Sequence, residues 1–102
     1  MKSTDYIIRE LENLLTLFPS IKVRYEYNGL ANIHTVEVVP NDVFYSNDYM
    51  SWERKMIDAF INKYPTENVC FISDDALVGI EKSSYENKGR YYNEDIKQII
   101  SI

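Results

Sequence analysis

Between Phe18 and Ile21 the spacing of apolar residues changes from the period of a helix to that of a strand, and this switch limits the possible folds more than any other feature. Upstream, Ile7, Ile8, Leu11, Leu14, Leu15 and Phe18 recur on one helical face, which predicts a helix over 4–18. Ser3 or Thr4 is the expected N-cap, Asp5 suits the first turn, and Pro19 stops the helix. Downstream, Ile21, Val23, Tyr25 and Tyr27 alternate with Lys22, Arg24 and Glu26, the pattern of a half-buried strand. Asn28 and Gly29 supply a turn, and a return strand over 32–39 sets His34, Val36 and Val38 against Ile33, Thr35 and Glu37. A helix followed by a hairpin needs to bury one face of each, and each can cover the other.

The second half repeats the logic. Pro40 ends the return strand, and Asn41 with Asp42 opens a short turn through Val43 and Phe44. Ser46 or Asn47 then caps a longer helix whose inward stripe is Tyr49, Trp52, Met56, Ala59 and Phe60, closed by Tyr64 and Pro65. Ile57 and Ile61 widen that stripe to one flank. The run Val69, Cys70, Phe71, Ile72 within 67–73 reads as the most buried strand, covered on both faces. A short strand over 76–81 follows, and Glu86, Asn87, Lys88 and Gly89 read as a turn inside a loop or weak hairpin over 82–92. A short terminal helix over 93–102 would set Ile96, Ile99 and Ile100 on one face.

The order is therefore α-β-β-α-β-(β)-α. It predicts a single α+β domain of two layers: a small antiparallel or mixed sheet of three to four strands, with the two main helices on one face. With 102 residues, 45% of them apolar, such a domain has core enough to fold without a disulfide or a structural metal. Cys70 is the lone cysteine and serves no intrachain bridge.

Composition narrows the function classes. Asp5, Arg9, Glu10 and Glu12 near the N-terminus are foreign to a signal peptide, and no apolar run reaches membrane-span length, so the expected location is the cytoplasm. A net charge of −5 disfavours nucleic acid and anionic membranes as direct partners, and the cations Lys22 and Arg24 are followed by Glu26 while the second strand offers Glu37 on its own polar side.

With one histidine, one cysteine and three separated glycines, no catalytic, metal-binding or phosphate-binding spacing is present, and we assign no catalytic residue, cofactor or metal from sequence. His34 and Cys70 are expected to serve the core, and Asp74 with Asp75 a turn after the third strand. The alternative is a small hydrolase or thiol enzyme built on His34 and Cys70, or on an Asp74/Asp75 metal site. Nine tyrosines exceed what a small core needs. Tyr45, Tyr49, Tyr85, Tyr91 and Tyr92 are the expected contact surface of a non-enzymatic interaction module: a regulator, an inhibitor or immunity protein, or an accessory subunit. Its partner would be another protein or a second copy of the chain.

Overall fold

A computed structural model describes residues 2–76 and 79–93. Their elements run α1 (Lys2–Leu17), β1 (Lys22–Asn28), β2 (Ile33–Val39), α2 (Asn41–Phe44), α3 (Asn47–Lys63), β3 (Asn68–Ile72) and β4 (Tyr85–Lys88). The four strands form one mixed sheet in the order β3-β2-β1-β4. β1 is antiparallel to β2 and to β4, whereas β3 lies parallel to β2. The fold is the expected α+β two-layer arrangement, and α3 is the crossover that makes the β2–β3 pair parallel. The terminal helix expected over 93–102 lies, but for Asn93, outside the described residues.

One core joins the layers. Ile7, Leu11 and Leu14 of α1 and Tyr49, Met56 and Phe60 of α3 close over Val23, Tyr25, Val36 and Val38 of the sheet. Tyr6, near the start of α1, meets Phe60 and Tyr64 at the end of α3, while Phe18 meets Tyr49 at its start, so the two helices run antiparallel on the same face. Ser46 caps α3 by accepting the Tyr49 amide at 3.3 Å. The β1–β2 loop is shaped by Asn28, whose side-chain oxygen accepts the amides of Leu30 and Ala31. Asn32, at φ 52°, takes the left-handed conformation that asparagine tolerates.

Four expectations are corrected. Ser3 and Thr4 lie inside α1, which begins at Lys2, and so do not cap it. β3 is an edge strand rather than a doubly covered one: Val69 and Phe71 pack on the core while Cys70 is exposed. Residues 86–88 are not a hairpin turn but most of β4, paired with β1 through Tyr25↔Tyr85 to Lys22↔Lys88. The described part of 76–81 is not a strand. Gly89 closes the β4 end, where a Cβ would stand 2.1 Å from the Pro19 carbonyl oxygen. Only glycine lets the chain approach that backbone closely enough for Gly89 and Tyr91 to donate to the carbonyls of Ile21 and Pro19.

Candidate functional site

Pairing register decides where each chemically capable side chain points. On the inner face, His34 of β2 stands opposite Tyr27 of β1 and Val69 of β3. Its ring is fully buried, 4.5 Å from the Tyr27 ring and 5.3 Å, edge-on, from Phe60. Both nitrogens are occupied. The Tyr25 hydroxyl lies 2.5 Å from Nδ1, and Glu67, just before β3, brings a carboxylate oxygen 2.6 Å from Nε2. The tautomer with its proton on Nε2 satisfies all three groups: Tyr25 donates to Nδ1 and Nε2–H donates to Glu67. Burial, with the Glu67 charge and Tyr27 adding to it, raises the Tyr25 hydroxyl far above its ordinary range and keeps it a donor.

The bond from His34 holds Glu67 below the usual carboxylate range, against a smaller opposing effect of burial, with help from the nearby Ser3 hydroxyl. Ser3 Oγ is itself buried without a hydrogen bond of normal geometry. Because Glu67, not Ser3, occupies the imidazole, these residues do not form a nucleophile–base pair. They form a hydrogen-bonded post that ties β1, β2 and the chain before β3 together under α1 and α3.

A depressed carboxylate makes stability depend on pH with a definite sign. The Glu67 contribution is fully present above its ordinary value of 4.5 and is lost as pH falls through its lower native value. In urea titrations from pH 7 to pH 3, Glu67→Gln should start below wild type and the gap should close as the pH falls. A gap that stays constant would show that the charge of Glu67 is irrelevant.

Cys70 is on the neighbouring strand but on the other face. It stands opposite Thr35, whose hydroxyl is 3.7 Å from its sulfur, whereas His34 points inward. A His34–Cys70 dyad is therefore not assembled. That outer face carries Arg24 in a two-point pair with Glu37 at 2.8 and 3.0 Å, and Lys22 at 3.3 Å from Glu86. These four line an open polar hollow with Val39, Asp74 and Tyr92. Asp74 takes its backbone orientation from Asn41, whose side-chain oxygen accepts the Asp74 amide at 3.3 Å. Asp75 is turned to the turn itself, accepting from Ser73 and, at 3.4 Å, from the Tyr45 hydroxyl. Among the described residues, no group of three or more His, Cys, Asp and Glu side chains is gathered closely enough to hold a metal ion.

The five tyrosines divide. Tyr49 is completely buried, donating to Glu53 at 3.2 Å, and so leaves the expected contact surface. The spacing that puts it on the inward stripe of α3 with Met56 and Phe60 was the signal. Tyr85 is half-buried against the core. The other three gather at one end of the sheet, where β2 and β3 finish, β1 starts and β4 ends. Tyr45 is 58% exposed and Tyr91 68% exposed, and Tyr92 lines the outer hollow. Neither exposed ring is loose. Tyr45 is bonded to Ser73 and Asp75 and meets Phe44 edge-on at 5.1 Å. The Tyr91 backbone N–H donates to the Pro19 carbonyl at 2.9 Å, which anchors the chain there, and its ring lies under the Arg90 guanidinium at 5.6 Å.

Sequence reasoning missed Glu67 as the partner of His34, since nothing local ties residues 33 positions apart. Among the described residues, no helix is long and apolar enough to cross a membrane. Comparison with protein-family models, with curated proteins and with solved structures found no match for this chain.

Proposed function

We propose that this protein is a small cytoplasmic interaction module, non-enzymatic in its working, that binds a protein partner through the tyrosine-bearing end of its sheet. The observation that carries the reading is that Tyr45 and Tyr91 are each more than half exposed yet held in place at that same end. An exposed aromatic ring already fixed by its neighbours loses little freedom on binding, so it offers large contact area at low entropic cost. Tyr92 and the outer hollow extend the surface with the paired charges Arg24–Glu37 and Lys22–Glu86, which suit a polar rim. An exposed, unpaired Cys70 suits a reducing compartment.

An enzymatic reading has less to rest on. His34 has no surface to present to a substrate, Cys70 faces away from it, and Asp75 is engaged by Tyr45 and Ser73.

The test compares capture of partners from native lysate by wild type and by Tyr45→Ala/Tyr91→Ala. Both rings sit outside the core, so the stability should fall by no more than about 1 kcal/mol while retention of a specific partner falls at least about tenfold. Equal retention by the variant would remove these tyrosines from the interface.

A further inference from the structure

The inward stripe of α3, Tyr49, Met56 and Phe60, is buried, but the helix carries a second apolar line that the described residues leave partly exposed. Met50, Ile57 and Ile61 lie within about 40° of one another around the helix and roughly 100° from the buried stripe. Met50 is 45% exposed and Ile61 48% exposed, with Ile57 half-buried between them. Single exposed apolar residues are ordinary, whereas three aligned along three turns make a ridge.

The charges along this ridge are arranged in a particular way. Arg54 and Asp58 flank it on the solvent side, and neither makes an ion pair among the described residues. The sequence along the line thus reads apolar, positive, apolar, negative, apolar. A two-fold axis perpendicular to the helix pairs residues whose positions mirror each other about the helix middle. It brings Met50 of one copy against Ile61 of the other, and Arg54 against Asp58, each contact made twice. Because both charges lie on the same side of the ridge, the antiparallel arrangement keeps Arg54 and Asp58 facing each other on one flank of the seam, whereas a parallel pairing would carry them to opposite flanks, so the charges favour the antiparallel one.

From this self-complementary pattern we infer that the chain forms a homodimer by antiparallel packing of α3 on α3 of a second copy. The residues involved are distinct from the tyrosines of the proposed partner surface, so the dimer leaves that end of the sheet available. One helix pair is smaller than a standard interface, and the dimer is expected to be weak, with a dissociation constant on the order of 10–100 μM.

Sedimentation equilibrium on purified protein up to about 0.5 mM tests this, a concentration chosen from the expected affinity range. Four proteins are compared: wild type, Arg54→Asp, Asp58→Arg, and the double variant carrying both changes. Either single reversal places like charges together at both symmetric contacts and should weaken the dimer at least about tenfold. The double variant restores opposite charges at both and should return to within about threefold of wild type. Asn62→Asp, a charge change on α3 away from the ridge, should leave association unchanged, and far-ultraviolet circular dichroism verifies that each variant is folded. A wild type that stays monomeric over the whole range, a dimer indifferent to the single reversals, or a double variant no better than either single one would each overturn the inference.

Discussion

Phe60→Ala should lower the stability of this domain by about 4 kcal/mol and its melting temperature by about 15 °C or more. The ring is completely buried and joins the Tyr6–Tyr64 pair, at 6.1 and 5.2 Å, to His34 at 5.3 Å. Removing it deletes the transfer free energy of a phenyl group and leaves a cavity between α1, α3 and the sheet that rigid neighbours can only partly fill. A domain whose total stability is about 5–15 kcal/mol has little to spare against such a loss. Chemical denaturation of both proteins measures it directly, and a loss below about 2 kcal/mol would mean that α1 and α3 close the gap more freely than the ring contacts imply.

His34→Ala is expected to cost about 3 kcal/mol or more, for a different reason. Among the described residues, the imidazole is the hydrogen-bond partner of the Tyr25 hydroxyl and the principal one of Glu67, so its loss orphans a buried donor and weakens the hold on a carboxylate. The informative comparison is with Tyr25→Phe, which removes one bond at nearly constant volume and should cost about 1 kcal/mol. Combining the two should be milder than their sum, because Tyr25→Phe removes the donor that His34→Ala leaves stranded. Strict additivity in the denaturation cycle would mean that the Tyr25–His34 contact contributes nothing specific to the folded state.

Much of the architecture was legible because its cues are local. The Ile7–Phe18 stripe, the alternation of β1 and β2, the Asn28 turn and the Ser46 cap each depend on residues a few positions apart, and each forms where the spacing puts it. The inward side of His34 was readable from the same alternation. What failed depended on distant pairing. Val69 to Ile72 is an unbroken apolar run, yet only Val69 and Phe71 touch the core, because α1 and α3 cover one face of the sheet and Cys70 is exposed on the other, an arrangement that the run itself does not encode. Glu86 to Gly89 looks like a turn by composition, yet Glu86 to Lys88 belong to a strand because β1 supplies its ladder. The split among the tyrosines was half legible: Tyr49 followed from helical phase, whereas Tyr45 owes its position to Ser73 and Asp75 near the end of β3.

The place of β4 in the sheet has a consequence for the order in which the molecule folds. β1 and β2 meet through a four-residue loop, but Ser84, at the threshold of β4, donates to the Tyr25 carbonyl from 59 positions away. Closing so long a stretch of chain is entropically unfavourable until the helices and the other three strands have shortened the distance, which puts β4 among the last pieces to dock. It is also short, and its outward side chains are polar, so it should be among the first to open in the native state. Each such opening bares the edge of β1, the most aromatic strand of the sheet, to any extended chain nearby. The solubility of this protein over time thus depends less on its global stability than on how quickly four residues close again over Lys22 to Tyr25.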